Sequence, residues 1–442
     1  MSGPATATTQ PDGVTRVRID SWAAGGRGLG RVDGRVWMVT GAVPGDEVEA
    51  RPLHDRGRFV EGRVERIVAH STRRRTPPCP VQAACGGCPL MTVAEADQRE
   101  AKRRFVADAL ARIGRIRDIV VAPVIPVEPA LGYRTRIELT SGRDPGGVLR
   151  WGYHRADDPV AILEIESCAV AHPALQPLLD ALRSHPPQSP GMRALLRTSR
   201  AGDERILALR DAPGSLASIE ALSRAASIAD PGLVGVVRIH AAAGRRGGAR
   251  SEVVSGRGWI ADTILGTPFR IPAATFLQVH AAAAEILGRD LVAEAGDSAS
   301  VVELYGGVGA IGLALARRGA RVAIVDADAD AIACGTDAAR RAGLDAALVR
   351  SDVLRFLDRD AGGAPPALLV ADPPRTGFGR GVARRLAAWG PPRIAVVSCD
   401  PATLARDAAA LVDAGYALER VTPYDFFPQT AHVEAVAWLR RR

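Results

Sequence analysis

The sequence predicts a protein of the α/β class in three parts: an N-terminal β-barrel, a central α+β domain and a C-terminal doubly wound sheet. Its 442 residues exceed one ordinary domain and predict roughly two to four of them. Turn signals roughly every eight to twelve residues indicate the barrel, and apolar runs alternating with helical patterns indicate the sheet. We place the three parts at residues 13–71, 72–270 and 271–442.

The composition is that of a globular protein, with 47% hydrophobic and 24% charged residues. No apolar run is long enough to cross a membrane, and the first residues lack the basic and apolar parts of a secretory signal, so we expect a cytoplasmic protein. We also expect it to be a monomer. The net charge of +8 permits an anionic partner such as nucleic acid. Because Lys102 is the only lysine, however, the excess of arginine also fits the coding bias of a GC-rich genome.

The first part, 13–71, alternates short apolar runs with glycine-rich turns. Up to Arg75 the chain holds 13 Arg against 9 Asp and Glu residues, which makes this segment basic. Small five-stranded barrels of the OB type commonly bind single-stranded nucleic acid. We therefore predict phosphate contacts with the arginines Arg27, Arg31, Arg56 and Arg58. An inert accessory domain is the alternative.

The central segment mixes strand-like runs with loops, which predicts an α+β domain. A helix is predicted over about 92–114, because apolar residues recur at helical spacing and Thr92 and Glu95 fit a capping box. This helix can pack on the C-terminal domain. Residues 241–251, rich in glycine and arginine, are predicted to form a hairpin loop.

Six cysteines form a second signal, and three of them lie within ten residues: Cys79, Cys85 and Cys88. Without an export signal disulfides are not expected, so the crowding favours a metal site or catalysis. Together with Cys168 these thiolates could hold either zinc or an iron–sulfur cluster. Cys334, on a predicted helix, is expected in the core.

The C-terminal part places polar residues at the ends of its predicted parallel strands, which is where ligands of such sheets bind. The first strand leads into Gly307-x-Gly309-x-x-Gly312, a pattern that lets the backbone approach a nucleotide-like ligand. Asp326 ends the next strand, where a carboxylate can hold a ribose diol. A dinucleotide and S-adenosylmethionine fit these features equally well.

Two further strands end in Asp372-Pro-Pro and in Ser-Cys399-Asp-Pro. Asp-Pro-Pro at this place is frequent in enzymes that methylate bases. Cys399 directly precedes a predicted helix, and the helix N-terminus is expected to stabilise a thiolate there. A nucleophilic thiol beside a methyl donor suits carbon 5 of uracil, because addition at carbon 6 makes carbon 5 nucleophilic. Glu434, among apolar residues of the last strand, is the candidate base that removes the carbon-5 proton.

The segments "SCDPATLARD", "DPPRTG", "ELYGGVGAIGLALA", "FLQVH" and "HVE" together resemble the bacterial RNA 5-methyluridine methyltransferases, over nearly the whole chain. The resemblance implies Cys399 as the nucleophile, Glu434 as the base and Asp372 as a contact of the target uracil. With the glycine loop, it implies S-adenosylmethionine contacts at Gln278, Tyr305, Gly307, Gly309, Asp326, Asp352 and Asp372. Gly306, Ala310 and His280 depart from the residues common in the family, which affects details of cofactor contact and not the reaction.

The resemblance also extends to the two other parts of the chain. The barrel is similar to the TRAM domain that many members carry, and Cys79, Cys85, Cys88 and Cys168 are similar to the ligands of a [4Fe–4S] cluster. A structural role is expected for the cluster, because no step of methyl transfer moves an electron. Members with both features mostly modify large-subunit ribosomal RNA, which makes 23S ribosomal RNA the favoured substrate and transfer RNA the alternative.

Two other functions share part of this pattern. Radical methylthiotransferases also combine a TRAM domain, an iron–sulfur cluster and S-adenosylmethionine, but they use a C-x3-C-x2-C triad, whereas five residues separate Cys79 from Cys85 here. A non-catalytic RNA-binding or assembly protein on the same fold is disfavoured by the joint presence of four residues: Cys399, Glu434, Asp372 and Gln278.

Overall fold

The computed structural model describes residues 13–210, 216–240, 250–359 and 363–442, which divide into two compact units. The first unit comprises Met1–Phe105 and Phe427–His432, and the second comprises Val106–Phe426 and Val433–Arg442. None of the helices in these described stretches is both long and apolar enough to cross a membrane.

The first unit contains the predicted barrel, which is closed in the order β1-β2-β3-β5-β4. Its strands are β1 (Thr15–Ala23), β2 (Arg27–Val32), β3 (Arg35–Thr40), β4 (Glu47–Asp55) and β5 (Phe59–Ala69). Apolar residues at alternate positions of β1, such as Val17 and Ile19, point inward and pack with Val39, Val48 and Val60. The barrel prediction is therefore confirmed.

Two helices follow in the first unit, α1 (Gln82–Cys85) and α2 (Glu95–Arg112), of which α2 continues into the second unit. The predicted capping box was wrong. Helix α2 begins at Glu95 itself, and the Glu95 carboxylate pairs with Arg75 at 2.7 Å. A fixed guanidinium next to a carboxylate is a stronger partner than a backbone amide.

The second unit begins with the central sheet, ordered β12-β11-β10-β9-β6-β7-β8. Its strands are β6 (Arg136–Arg143), β7 (Leu149–His154), β8 (Ile162–Leu163), β9 (Arg193–Thr198), β10 (Arg205–Arg210), β11 (Leu233–His240) and β12 (Arg250–Gly256). Its helices are α3 (Gln176–Ser184) and α4 (Leu216–Ala229), and a hairpin of β13 (Trp259–Ile264) and β14 (Thr267–Pro272) follows. Residues 241–249 of the predicted hairpin loop lie outside the described residues, but the strands beside them pair antiparallel.

The C-terminal sheet has the order β17-β16-β15-β18-β19-β21-β20. Its strands are β15 (Ser300–Leu304), β16 (Arg321–Asp326), β17 (Ala346–Arg350), β18 (Leu368–Ala371), β19 (Arg393–Ser398), β20 (Tyr416–Tyr424) and β21 (Glu434–Arg441). The connecting helices are α5 (Ala281–Ala295), α6 (Ala310–Arg317), α7 (Ala329–Ala342), α8 (Val353–Arg359), α9 (Val382–Trp389) and α10 (Pro401–Asp413). Strands β15 to β19 are parallel, and β21 is antiparallel to both of its neighbours. The predicted doubly wound sheet is confirmed.

The strand order of this sheet creates the crevice that such folds use for binding. From β15 the chain moves outward to β16 and β17, and then returns to the other side of β15 with β18. The carboxyl ends of β15 and β18 therefore face a topological switch point, where ligands bind in open α/β sheets. Val106 and Leu110 of α2 belong to the core of this sheet, together with Leu404 and Leu411 of α10.

Candidate active site

Three neighbouring strands bring the candidate catalytic residues to one edge of the C-terminal sheet. β18 and β19 are parallel, so Asp372 and Cys399, which directly follow them, leave the sheet at the same end. β21 is antiparallel to β19, with Ser398 opposite Ala435. The next residues on the two strands are Cys399 and Glu434, so the backbone register itself sets the thiol beside the carboxyl group.

Glu434 is the most unusual carboxyl group of this edge. The residue is 1% exposed, and among the described residues neither carboxylate oxygen has a hydrogen-bond partner. Burial raises the pKa of Glu434 well above its ordinary value, the charge of Asp372 adds to this, and Arg375 opposes it. A buried carboxyl group without a partner lowers stability, so its presence indicates a function.

The thiol of Cys399 is half-buried between β19 and α10. Burial raises its pKa to about 11, Glu434 and Asp372 add to the rise, and Arg375 opposes it. The sequence led us to expect a thiolate stabilised by the helix N-terminus. The structure differs, because burial and two nearby carboxyl groups favour the neutral thiol in the unliganded protein.

Arg375 belongs to the site, although the sequence analysis did not identify it. Its side chain hydrogen-bonds the Cys399 thiol, and its positive charge lowers the pKa of both Cys399 and Glu434. It follows Asp372 by three residues in the turn after β18, where the Gly377 N–H donates to the Pro374 carbonyl at 2.7 Å. The signal was present in the sequence as the arginine of "DPPRTG".

The glycines of the loop after β15 serve two different purposes: one leaves space above the backbone, and the others allow close packing. A Cβ at Gly307 would meet no atom within 4 Å, so this position leaves space above the backbone, and its φ of +56° favours glycine. Gly309 and Gly312 instead pack against Ile324, where a Cβ would clash. The Gly307 N–H donates to Asp326 at 2.8 Å, which ties the loop to the end of β16.

Glu303 is a second buried carboxyl group that the sequence analysis missed. It lies in β15, is 4% exposed, and accepts a hydrogen bond from the Gly312 N–H at 2.8 Å. Burial raises its pKa to about 8; the Gly312 bond opposes the rise, while Asp372 and Asp326 add to it. A charged residue within an otherwise apolar strand was the available signal.

Three other predicted cofactor residues lie at the same edge. Asp352 follows β17 and accepts a hydrogen bond from the Leu354 N–H at 2.9 Å, so it caps α8. The Tyr305 hydroxyl donates to the carbonyl of Phe378 at 3.3 Å. Asp326 also accepts from the N–H of Asp328 at 2.8 Å, which fixes its carboxylate.

Gln278 is half-buried in the segment between β14 and α5. The segment is anchored by Thr135, whose N–H donates to the Val279 carbonyl at 2.9 Å. The departing residue His280 is buried, stacks on Tyr133 at 4.5 Å, and caps α5. Burial lowers its pKa to about 4, so its imidazole is neutral.

The cysteines divide between the two units. Cys79, Cys85 and Cys88 belong to the first unit and Cys168 to the second, and all four are half-buried. None of the six cysteines forms a disulfide in the part of the chain that is described. Across those same residues, no group of three or more His, Cys, Asp or Glu side chains is arranged to hold a metal ion. Cys334 is buried on α7, as predicted.

Comparison with known proteins finds a matching family model and relatives that cover nearly the whole chain. A family model described as tRNA (Uracil-5-)-methyltransferase matches residues 366–442, the stretch that carries Asp372, Arg375, Cys399 and Glu434. The 23S rRNA (uracil(1939)-C(5))-methyltransferase RlmD of Pseudomonas fluorescens is 32% identical over 440 residues, covering 96% of this chain and 93% of the relative. An uncharacterized RNA methyltransferase of Thermosynechococcus vestitus is 34% identical over 447 residues, covering 97% and 98%.

Among solved structures, the chain resembles the tRNA (uracil-54, C5)-methyltransferase of Pyrococcus abyssi, which was solved in complex with S-adenosyl-L-homocysteine. The TM-score is 0.73, and the match covers 96% of this chain and 99% of that chain. At 22% sequence identity this likeness shows a common fold.

Proposed function

Since this chain belongs to the RNA 5-methyluridine methyltransferase family, which methylates carbon 5 of uridine in RNA with S-adenosylmethionine, we propose that its substrate is a uridine of 23S ribosomal RNA and that Cys399 and Glu434 carry the chemistry. The observation that supports this assignment best is the buried carboxyl group of Glu434, without a hydrogen-bond partner among the described residues and adjacent by register to a thiol.

The proposed reaction uses each side chain once. The Cys399 thiolate adds to carbon 6 of the uracil, and the electron pair of the ring double bond makes carbon 5 nucleophilic. When bound, S-adenosylmethionine supplies an electrophilic methyl group to that carbon. The Glu434 carboxylate then takes the carbon-5 proton, the double bond re-forms, and the bond from sulfur to carbon 6 breaks. A carboxylate with a raised pKa is the stronger base for this last step.

The Arg375 guanidinium supports the first step. Because burial and two carboxyl groups disfavour the thiolate, a positive charge beside the sulfur is needed to form it. Asp372 lies at the same edge and is available to hydrogen-bond the polar edge of the uracil. Burial and the charge of Asp326 raise the pKa of Asp372, which favours a protonated form that can donate.

S-adenosylmethionine is proposed to bind at the switch point above the glycine loop. The fit is supported by the open space over Gly307 and by the carboxylate of Asp326 at the end of β16. Gly309 keeps the loop close to the sheet, while Tyr305 and Asp352 flank it. Gln278 completes the proposed set from the segment before α5. We also propose that the enzyme acts as a monomer, and an RNA substrate fits a cytoplasmic location.

The choice of RNA is tested by mapping 5-methyluridine in total RNA from a strain without the gene. We expect one site in 23S ribosomal RNA to lose its methyl group and to regain it when the wild-type gene is restored. Restoring the Cys399→Ala form should leave the site unmethylated. Loss of a transfer RNA site instead would move the substrate to transfer RNA and leave the reaction unchanged.

We further propose that Cys79, Cys85, Cys88 and Cys168 ligate a [4Fe–4S] cluster with a structural role. The proposal is supported by the family resemblance and by the chemistry of four thiols. The backbone of the cysteine segment is ordered, since the Cys85 N–H donates to Val81 and the Met91 N–H to Cys88.

Protein purified without oxygen should be brown and contain iron and inorganic sulfide in equal amounts. Cys85→Ser is expected to lose the colour and much of the solubility, because metal binding contributes to folding. Cys334→Ser, which alters a cysteine of helix α7, is the matched control and should keep the iron. Colourless, active protein with stoichiometric zinc would show that the four cysteines bind zinc and not an iron–sulfur cluster.

The barrel is proposed to be a TRAM domain that adds RNA phosphate contacts, but its arginines are not equivalent. Arg27 and Arg56 both pair with Glu61, at 3.2 Å and 3.7 Å. Arg31 and Arg58 have no carboxylate partner among the described residues. The unpaired guanidinium groups are therefore the ones available to phosphates.

Replacing both Arg31 and Arg58 with Ala should weaken RNA binding and reduce the slope of log K against log salt by about 1–2. The reason is that RNA binding releases fewer counterions when the protein makes fewer phosphate contacts. The same double change at Arg27 and Arg56 is the control and should have the smaller effect. Binding isotherms at several salt concentrations measure both. Equal slopes in the wild type and both variants would show that the barrel does not contact the RNA backbone.

A further inference from the structure

The segment "SCDPATLARD" ends in Arg406-Asp407, two residues to which the proposed mechanism gives no role. Both lie in α10, the helix that begins two residues after Cys399. Asp407 is 5% exposed, although it carries a charge. A buried carboxylate in a surface helix needs partners, and those partners show what the pair does.

Among the described residues, the hydrogen-bond partners of these two side chains outside α10 lie in the turn that carries Arg375. The carboxylate of Asp407 accepts a hydrogen bond from the Phe378 N–H at 2.8 Å. The guanidinium of Arg406 donates to the Thr376 carbonyl at 2.7 Å and to Asp407 at 2.9 Å. The two side chains therefore connect the helix that follows Cys399 to the turn that follows Asp372.

Gly377 allows Arg406 and Asp407 of helix α10 to approach the turn closely. It adopts a φ of +76°, and a Cβ at this position would clash with the guanidinium of Arg406 and the carboxylate of Asp407. On the opposite side, the Tyr305 hydroxyl donates to the Phe378 carbonyl at 3.3 Å. The turn is thus held by helix α10 and by Tyr305 of the glycine loop. Arg375 lies two residues before Gly377.

We propose that Asp407 and Arg406 are positioning residues that hold the turn of Arg375 against Cys399, so that its guanidinium faces the attacking sulfur. The inference rests on the proposed role of Cys399 as the nucleophile. Without the pair, the turn loses the hydrogen bonds at the Thr376 carbonyl and at the Phe378 N–H. Arg375, which is exposed to solvent, is then free to move away from the thiol. Asp407 and Arg406 act on the sulfur only through Arg375.

The electrostatic surroundings of the sulfur define the readout. The groups that face Cys399 are Glu434 from β21 and Asp372 and Arg375 from the turn after β18, while Asp400 caps its own helix. Of these, Arg375 is the one that lowers the pKa of the thiol. Moving it away should raise that pKa and slow the reaction of Cys399 with iodoacetamide at any pH below the pKa.

The experiment measures the rate of alkylation of Cys399 against pH in the full-length protein, purified without oxygen, by mass spectrometry of the peptide that contains Cys399. The single amide oxygen of Asp407→Asn cannot accept from both Phe378 and Arg406, as the two carboxylate oxygens do. This variant is therefore expected to move the profile upward by about 0.5–1 pH unit, which slows alkylation at pH 8 by about 3–10-fold. Arg375→Ala should give a similar shift. Asp413→Asn, an exposed carboxylate at the end of the same helix, is the control and should leave the profile unchanged.

The decisive variant combines Arg375→Ala with Asp407→Asn. If Asp407 acts through Arg375, the double change shifts the profile no further than Arg375→Ala alone. Additive shifts, or an unchanged profile in Asp407→Asn, would overturn the proposal. Should Asp407→Asn fail to fold, Arg406→Ala gives the same test, since Arg406 is half-exposed, and Arg406→Lys should recover part of the shift.

The alkylation assay does not depend on methyl transfer, so the two proposals fail separately. Methylation by Cys399→Ala would refute the nucleophile while leaving any alkylation shift intact. A dead Cys399→Ala enzyme with an unchanged profile in Asp407→Asn would refute the positioning role alone.

Discussion

The Glu434→Gln enzyme is expected to accumulate a covalent protein–RNA adduct that carries the transferred methyl group. The amide keeps the size of the side chain and leaves the thiol in place, so addition and methylation proceed. It cannot take the carbon-5 proton, and the bond from sulfur to carbon 6 therefore stays closed. General-base catalysis contributes about 10²–10⁴-fold, which makes the stall visible within minutes.

The adduct is detected as a species that survives denaturing electrophoresis and is labelled from methyl-labelled S-adenosylmethionine. Cys399→Ala should give neither product nor adduct, and the double variant should behave like Cys399→Ala. Normal turnover of Glu434→Gln would assign the base to another residue. Methylation by Cys399→Ala would show that the Cys399 thiol is not the nucleophile.

Replacing Glu303 with Gln is expected to stabilise the unliganded protein, and increasingly so as the pH rises from 5 to 8.5. The pKa of Glu303 is raised to about 8, whereas the same group in the unfolded chain titrates near 4.5. Between these values the unfolded state releases a proton that the folded state retains, so the wild type loses stability with rising pH. The loss approaches about 1.4 kcal/mol per pH unit, and about 5 kcal/mol over the window is its upper bound.

Glu303→Gln cannot ionise, and its amide oxygen can still accept from the Gly312 N–H. The gain in the free energy of unfolding should be small at pH 5 and reach several kcal/mol at pH 8.5. Urea unfolding, together with hydrogen exchange of the β15 amides, measures it. The control is Glu100→Gln, because Arg103 holds the pKa of Glu100 down to about 2 and the effect of that change should not grow over this range. A gain independent of pH would mean that Glu303 is ionised in the folded protein.

The same variant is expected to bind S-adenosylmethionine less tightly above pH 8. The positive charges of S-adenosylmethionine favour the ionised form of Glu303. The wild type can therefore offer the cofactor a negative charge that the amide of Glu303→Gln cannot supply. Stability and cofactor affinity thus change in opposite directions, as expected where a site keeps groups that the fold alone would not select.

Most of the candidate site could be predicted because it follows from topology. Parallel strands end at one edge of a sheet, so Asp326, Asp372 and Cys399 were expected together as soon as their strands were recognised. Glu434 could be placed because a carboxylate among apolar residues of a strand has no structural explanation. The barrel followed from its regular turns.

The errors concern interactions between distant parts of the chain. The capping box failed because Arg75, twenty residues before Glu95, offers a stronger partner than the local backbone. The expected low pKa of Cys399 failed because the helix N-terminus was weighed without the burial and the carboxyl groups of other strands. Arg375 and Glu303 were overlooked since neither ends a strand.

The position of β21 has a consequence for how the sheet is completed during synthesis. β20 is made before β21, its neighbour in the described sheet, and its other backbone contacts are isolated bridges from Val121 and Ile125 to Val421 and Tyr424. Until β21 has emerged, the edge of β20 that pairs with β21 stays open, and so does the facing edge of β19. Two unpaired strand edges in one nascent chain favour association with other chains. Interruption of synthesis before Glu434 would therefore leave a chain that tends to aggregate, and not merely one that lacks its base.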